Sequence, residues 1–132
     1  MCRSRFAYVI SLTKIHQVWL FGGESSGDKL IDSEIHFVDL SEAKPAWNTV
    51  DVAGSTKPPP RIAHAQAVVG DSIYVHGGHA GNSHEPLGDL WHFDTLKSEW
   101  AEVSSASGSV AVEPRCFHMM AALGASLYVF GG

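Results

Sequence analysis

Short apolar runs that end in two glycines recur along this chain at nearly equal spacing. The three copies are Val18–Gly23, Ser72–Gly78 and Leu127–Gly132. Short apolar runs bounded by turn residues are typical of β-strands, and a glycine pair ends a strand in a turn. A period of about 50 residues indicates an architecture in which one structural unit is used several times.

Within each repeat the hydrophobic pattern predicts four short strands joined in sequence. Gly70-Asp71 is a favoured two-residue hairpin turn, and Pro58–Pro60 ends one unit before the next begins. The predicted strands are Phe6–Ile10, Val18–Phe21, Ile35–Asp39, Trp47–Val52, Arg61–Val69, Ile73–His76, Leu90–Asp94, Trp100–Val103, Phe117–Leu123 and Leu127–Phe130. No segment has a convincing helical period. The pattern therefore predicts an all-β fold of antiparallel four-stranded sheets.

Other positions repeat with the same period. Leu90–Asp94 stands in the second unit where Ile35–Asp39 stands in the first, and Trp100 likewise follows Trp47. Arg61-x-x-His64 recurs one unit later as Arg115-x-x-His118. In the first copy Arg5-Phe6-Ala7-Tyr8 is expected to take this place, with Tyr8 instead of the histidine.

Composition excludes several classes of function. The net charge is −5 and no run of Lys or Arg is present, which argues against a nucleic-acid surface. No apolar stretch approaches the ~18 residues of a membrane span. The two cysteines, Cys2 and Cys116, are too few for a disulfide framework. We expect a cytoplasmic protein that binds neither membranes nor nucleic acids.

These motifs resemble the kelch repeat: a double glycine after an apolar strand, an aromatic strand that ends in Asp, a Trp in the fourth strand and a Pro-Arg-x-x-His opening. The resemblance implies a β-propeller built from four-stranded blades. A propeller has ~4 to 8 blades, whereas 132 residues hold about two and a half repeats. We expect residues 1–132 to be a kelch-type β-propeller fragment, with repeats at about 5–52 and 61–103 and a half repeat at 115–132.

Most of the recurring residues are expected to be structural. The glycines end strands where a side chain would block a close approach, the tryptophans pack between sheets, the Asp residues bond turn amides, and the histidines make a repeated structural bond. These residues are Gly22, Gly23, Gly77, Gly78, Gly131, Gly132, Trp47, Trp100, Asp39, Asp94, His64 and His118.

Strand parity predicts where a partner would bind. Connections in an antiparallel blade alternate between two sides, so the long segments Glu24–Ser33, Val52–Pro60, His79–Gly88 and Ser104–Pro114 share one side. We call this side the loop face and the other, with its short turns, the turn face. Function usually lies on long loops carried by a rigid scaffold. The partner-binding candidates are Glu24, Asp28, Lys29, Lys57, Arg61, His79, Asn82, His84, Glu85 and Arg115.

Two of these candidates have an alternative role. Arg61 and Arg115 either anchor a loop through the guanidinium group or point at a partner.

The histidine-rich segment with His76, His79, His84 and His92 suggests a metal site. However, His76 aligns with Phe21 and Phe130, and His92 aligns with Phe37. We therefore predict no metal site, no catalytic residue and no cofactor.

The resemblance implies a protein–protein interaction module, a scaffold or adaptor that binds through the loop face. The alternative is a metal-dependent or other enzyme on a kelch propeller whose active site lies mostly outside this chain. A third possibility is a product without a stable fold. Because an incomplete ring leaves apolar sheet surfaces bare, we expect the isolated chain to self-associate or aggregate.

Overall fold

The computed structural model describes residues 3–4, 7–11, 16–25, 29–30, 32–81, 83–103 and 112–132. All of the regular structure in these segments is β. The strands are β1 (Arg3–Ser4), β2 (Ala7–Ser11), β3 (Gln17–Phe21), β4 (Glu24–Ser25), β5 (Lys29–Leu30), β6 (Ile35–Asp39), β7 (Trp47–Thr49), β8 (Ala65–Val69), β9 (Ser72–His76), β10 (Leu90–Asp94), β11 (Glu99–Glu102), β12 (Met119–Leu123) and β13 (Ser126–Phe130).

The strands form two complete blades and one hairpin. Blade 1 has the order β2-β3-β6-β7 and blade 2 has the order β8-β9-β10-β11, all antiparallel. The hairpin β12-β13 begins a third unit. This is the all-β, four-stranded arrangement that the repeat predicts. A small sheet, β1-β4-β5, was not predicted from the sequence.

The strand register corrects the alignment of the first repeat. Ser4 pairs with Glu24 as Ile62 pairs with His79, so Arg3 is the counterpart of Arg61. Tyr8 pairs with Leu20 as Gln66 pairs with Val75, and it is therefore not the counterpart of His64. The expectation that Arg5 and Tyr8 stand for the Arg-x-x-His motif is wrong. The connection between β2 and β3 is longer than Gly70-Asp71, which joins β8 and β9. Arg3 therefore lies farther from Gly22 along the sequence than Arg61 lies from Gly77.

Two predicted strands begin later than expected. β8 starts at Ala65 and β12 at Met119, four and two residues after the predicted starts. Ala63 and Phe117 have φ angles of 57° and 56°, in the left-handed region that a strand does not use. The Arg-x-x-His segment is therefore a turn that leads into the strand, with the Phe117 amide donating to the Ala63 carbonyl at 2.9 Å.

The aspartates at strand ends take the predicted role in turns. The Asp39 carboxylate accepts from the Ser41 amide at 2.9 Å, and the Asp94 carboxylate accepts from the Leu96 and Lys97 amides at 2.9 and 3.0 Å. These bonds favour the ionised carboxylate. The Ser41 hydroxyl and amide lower the pKa of Asp39, and the Lys97 and Leu96 amides lower the pKa of Asp94.

The main core lies between blades 1 and 2. Blade 1 contributes aromatic side chains from β3 that meet Phe93 of β10 and Trp100 of β11 in blade 2. The buried cluster comprises Trp19, Phe21, Ile35, Ile73, Val75, Trp91, Phe93 and Trp100. Phe21 packs on Trp100 with ring centroids 5.0 Å apart, and Phe93 packs on Trp100 at 5.1 Å.

The two repeated tryptophans have different environments. Trp100 is 5% exposed because it sits between blade 2 and blade 1. Trp47 occupies the same place in blade 1 but is 57% exposed, so the expectation that it packs between two sheets is wrong for this chain. The physical reason is that the corresponding side of blade 1 faces no other blade among the described residues.

We predict that Trp100→Ala lowers the free energy of unfolding by ~3–5 kcal/mol, because it removes a large buried ring and leaves a cavity between the blades. Trp47→Ala is the matched control and should change stability by no more than about 0.5 kcal/mol. Urea unfolding of dilute protein, followed by circular dichroism, measures both values. Equal losses for the two variants would contradict this account of the core.

Candidate functional site

A buried arginine anchors the loops of blade 2. Arg61 is 0% exposed, and its guanidinium group donates to both carboxylate oxygens of Asp89, at 2.6 and 2.7 Å. It also donates to the carbonyls of Gly77 and Pro59, at 3.0 and 3.3 Å. The Trp91 indole N–H donates to the same carboxylate at 2.6 Å. Charge-assisted, bidentate hydrogen bonds of this kind are among the strongest hydrogen bonds in proteins.

The surroundings of Asp89 act on its pKa in opposite directions. Burial by itself raises the pKa of this carboxyl, because the charged form loses water. The Arg61 guanidinium and the Trp91 N–H outweigh that effect and hold the pKa below its usual value. The ion pair is therefore present at neutral pH. We call the contacts of Arg61, Asp89 and Trp91 the arginine clamp.

Each double glycine meets the turn that opens the next blade. The Gly23 amide donates to the Arg61 carbonyl at 3.0 Å, and the Gly78 amide donates to the Arg115 carbonyl at 2.9 Å. A Cβ atom on Gly22 would lie 2.6 Å from the Arg61 carbonyl oxygen and 2.9 Å from the His64 ring. The φ angle of Gly22 is also positive, at +64°. Only glycine permits this contact between neighbouring blades.

The repeated histidines fill the space beside these glycines. The His64 ring lies edge-on to Phe21, with centroids 5.6 Å apart. In the next joint, His76 takes the place of Phe21, and its Nδ1 lies 3.0 Å from Nε2 of His118. One of these two nitrogens must carry the hydrogen and donate to the other. Two imidazolium ions would place two N–H groups against each other.

These histidines are held neutral. Burial lowers the pKa of His64 to about 4, and burial together with the neighbouring His76 lowers the pKa of His118 to about 4. Burial and the nearby Arg115 also lower the pKa of His76. The three rings serve as neutral packing and hydrogen-bonding groups at physiological pH.

The long segments meet one another on the loop face. The Leu87 amide donates to the Gly78 carbonyl at 2.7 Å, and the Arg115 amide donates to the Leu87 carbonyl at 3.1 Å. A Cβ atom on Gly88 would lie 2.9 Å from the Pro114 ring. The segment after His79 therefore returns to the joint between blade 2 and the third unit. Backbone hydrogen bonds therefore hold the base of this loop in place.

The structure separates the predicted partner-binding residues into three groups. Lys57, His84 and Glu85 are exposed on the loop face, and Arg115 is partly exposed. Glu24, Arg61 and His79 are buried. Asp28, Asn82 and the side chain of Lys29 lie outside the described residues.

Burial corrects the expectation for three candidates. Arg61 anchors a loop, which is one of the two roles that the sequence left open for it. The His79 backbone pairs with Ile62 through two 3.0 Å hydrogen bonds, and the residue is only 5% exposed. Glu24 pairs with Ser4 in the corresponding place of blade 1 and is also buried. The side chains of Glu24, Arg61 and His79 are therefore too buried to contact a binding protein.

Asp89 was not predicted from the sequence as a site residue. A signal was available, because an acidic residue immediately precedes the third strand in both complete repeats, as Glu34 before Ile35 and Asp89 before Leu90. Only the folded chain shows that Asp89 meets Arg61, which is 28 residues earlier in the sequence.

A groove opens on the loop face of blade 1, with a volume of about 400 Å³. Two valines form its apolar part and charged or hydroxyl groups surround them. The lining residues are Ser33, Glu34, Val50, Asp51, Val52, Gly54, Ser55 and Lys57. The Ala53 amide donates to the Ser98 carbonyl of blade 2 at 2.8 Å, which fixes the segment that forms one wall.

Three side chains of types that can bind a metal lie close together at one place in the described part of the chain. Ligand atoms of Asp32, Glu34 and His36 lie within 4.8 Å of one another, beside this groove. Glu34 is the counterpart of Asp89, and Nδ1 of His36 lies 3.0 Å from the Thr49 hydroxyl. Within the described residues, the histidine-rich segment 76–92 brings no comparable group together.

We predict that Asp89→Asn destabilises the chain by ~3–5 kcal/mol, because it leaves the buried Arg61 guanidinium without a counter-charge. Asp71→Asn, in the exposed hairpin turn of the same blade, is the control and should be nearly neutral. Chemical denaturation at pH 7 measures both. A loss below about 0.5 kcal/mol for Asp89→Asn would mean that the clamp contributes little.

Stability should also fall in acid before the carboxylates titrate. A histidine whose folded pKa is lowered contributes stability above its unfolded pKa of ~6.5, and this stability is lost as the pH falls towards the folded value. For His64 and His118 the window is therefore from ~6.5 down to about 4. We predict a progressive decrease of the unfolding free energy across this range, measured by urea titration at several pH values.

The paired variants His76→Phe and His84→Phe test the source of this pH dependence. Phe at position 76 restores the residue type found at Phe21 and Phe130, and it should make the pH dependence shallower. His84→Phe makes the same substitution at an exposed position and is the matched control. An unfolding free energy that stays constant between pH 6.5 and pH 4.5 would contradict the assignment of neutral buried histidines.

Among the described residues, no helix has the length and apolar character that a membrane crossing requires.

This chain is similar in sequence to known proteins that contain kelch repeats. The profile of the KLHDC2/KLHL20/DRC7 Kelch-repeats domain matches residues 9–132. The chain is 43% identical over 126 residues to the tRNA wybutosine-synthesizing protein 2/3/4 of Oryza sativa subsp. japonica, a match that covers 96% of this chain and 12% of that protein. It is 31% identical over 118 residues to the Rab9 effector protein with kelch motifs of Danio rerio, which covers 87% of this chain and 33% of that protein.

A solved structure shares the fold. The structure of YjhT superposes with a TM-score of 0.74 at 18% identity, over 98% of this chain and 34% of that chain. The present chain thus spans about a third or less of the relatives that it matches. With the profile match, the repeated double glycines and the two four-stranded blades, the chain belongs to the kelch-repeat family and forms part of a kelch-type β-propeller.

Proposed function

We propose that this chain is a protein-interaction module, a cytoplasmic scaffold or adaptor that binds a protein partner through the loop face. The observation that carries the proposal is the contrast between its two sides. Long segments meet on the loop face and are tied to the blade joints, whereas the connections on the turn face are shorter, from the two-residue turns Gly70-Asp71 and Gly124-Ala125 to the seven residues between β6 and β7.

The arginine clamp supports this role physically. Binding a partner costs less entropy when the contacting segments are already ordered. Arg61 and the glycine amides hold the bases of the loops, while Lys57, His84 and Glu85 remain exposed beyond them. The Rab9 effector relatives carry names that denote interaction with a protein, and they support a protein as the class of partner.

Site-specific photo-crosslinking tests the proposal. A photoreactive amino acid at position 57 or 85 should capture the same protein from an extract of cells that express the chain. At Asp71 or Lys97 on the turn face it should not capture that protein. These four side chains are exposed, so reactivity alone would not separate the two sides. Equal capture from both sides would contradict loop-face binding.

A role in an enzyme is the second candidate. One observation favours it: a relative at 43% identity is named as a tRNA wybutosine-synthesizing protein, although the match covers only 12% of that protein. Metal analysis of the purified chain addresses the metal-dependent form of this hypothesis. Stoichiometric zinc, iron or copper that is lost in His36→Ala would favour it, and a metal-free preparation would argue against it.

We also propose that the isolated chain self-associates. The association would use exposed apolar sheet surfaces rather than the loop face, because several large apolar side chains of β12, β13 and β7 are exposed.

A further inference from the structure

The groove on the loop face of blade 1 combines an apolar part with a charged rim. Val50 and Val52 are partly buried and pack against the core cluster between blades 1 and 2. Glu34 and Asp51 line the rim with exposed side chains. The volume of about 400 Å³ lies within the range of ~300–1,000 Å³ that is typical of ligand-binding clefts. The groove therefore has room for a side chain of a binding partner.

Backbone hydrogen bonds hold the walls of this groove in place. The Val50 amide donates to the Ile35 carbonyl at 3.0 Å, and the Ala53 amide donates to the Ser98 carbonyl of blade 2 at 2.8 Å. Pro58, which follows the lining residue Lys57, is fully buried. The lining residues and these supports belong to blade 1, to blade 2 or to the segment between them. A groove that is already formed binds a partner at a smaller cost in conformational entropy.

Exposed carboxylates outnumber cations around the groove. Glu34 and Asp51 line it and Asp32 lies beside it, whereas Lys57 is the one cation of its lining. None of the ion pairs between described residues includes Lys57 or these carboxylates. The whole chain also carries a net charge of −5. Because complementary charges steer association and suppress wrong partners, this surface favours a cationic partner.

A lysine or arginine side chain matches both parts of the groove. Its methylene stem can lie on the two valines while its charged end stays near the carboxylates and water. An arginine can bind one carboxylate through two parallel hydrogen bonds. A purely apolar side chain would remove water from the carboxylates without replacing its hydrogen bonds, and an acidic side chain would be repelled. The lining therefore selects a basic side chain with a long apolar stem.

We propose that the partner of the loop face carries a basic peptide segment and places a lysine or arginine side chain in this groove, on Val50 and Val52 and beside Asp51 and Glu34. The proposal rests on the proposed function, because it names the chemistry of the partner that the loop face binds. It adds Asp51 and Glu34 as residues that determine specificity, and neither was a partner-binding candidate from the sequence.

Differential selection from a random peptide library tests this chemistry with defined probes. Phage are first depleted on Ser55→Trp, which fills the groove without changing its charge, and are then selected on the wild-type full chain. The recovered peptides should share a lysine or arginine. Norleucine in place of that residue removes the charge and keeps an apolar stem, and it should weaken binding about tenfold. Fluorescence polarisation measures the dissociation constants, which should rise with salt concentration.

Matched variants of the chain test the two carboxylates. Asp51→Asn and Glu34→Gln should each weaken binding of a recovered peptide about tenfold, because each removes a charge-assisted hydrogen bond. Asp71→Asn and Glu42→Gln make the same substitutions at exposed positions of the turn face and should leave binding unchanged. All four positions are exposed, so far-UV circular dichroism and the urea transition should match the wild type.

Several outcomes would overturn this proposal while loop-face binding remains. They are the recovery of no peptide that prefers the wild type to Ser55→Trp, recovered peptides that lack a basic residue, and peptide affinities that neither Asp51→Asn nor Glu34→Gln changes.

Photo-crosslinking from position 85 separates failure of this proposal from failure of the proposed function, because Glu85 lies on another segment of the loop face. Capture of the partner from this position should fall about tenfold when Ser55→Trp or Asp51→Lys is added. Undiminished capture in both variants would overturn the groove as the binding site of the basic side chain and leave loop-face binding in place. Equal capture from the loop face and the turn face would overturn the proposed function, and this proposal with it.

Discussion

The contact between a double glycine and the turn that opens the next blade is the constraint on which this fold depends. Gly22 leaves no room for a Cβ atom, and the Gly23 amide then reaches the Arg61 carbonyl at 3.0 Å. The side chain of the same arginine binds Asp89 and the Gly77 carbonyl within its own blade. One residue thereby joins two blades through its backbone carbonyl and ties the loops of its own blade through its side chain, and the contact between the blades needs the close approach that glycine permits.

This joint also determines where function can lie. Arg61 and His79 stand out as chemically capable residues in the sequence, but the joint uses them internally and buries both. Lys57, His84 and Glu85 are displaced outward from it and stay accessible. A partner bound at the proposed loop face would therefore meet the tips of the loops and not the repeated motif.

Much of the architecture could be predicted because its signals are local and repeated. Alternation along short segments predicts strands such as β6 and β10, and the spacing of the glycines predicts how many units the chain contains. The strand starts at Ala65 and Met119 could not be predicted, because the positive φ angles of Ala63 and Phe117 carry no composition signal. Neither residue is a glycine, and the surrounding turn imposes their conformation.

The sequence by itself determined the repeat, most of the strands and the side of the blades on which the long loops lie, because each follows from periodicity and strand parity, and its repeated motifs carried the family resemblance. Tertiary structure alone decided which copy of a repeated residue is buried. Trp47 and Trp100 are equivalent in the sequence, yet only Trp100 has a neighbouring blade to pack against. Likewise, only the folded chain brings Asp89 to Arg61 and makes the arginine a structural anchor. Burial depends on neighbours in space, which a repeating pattern does not specify.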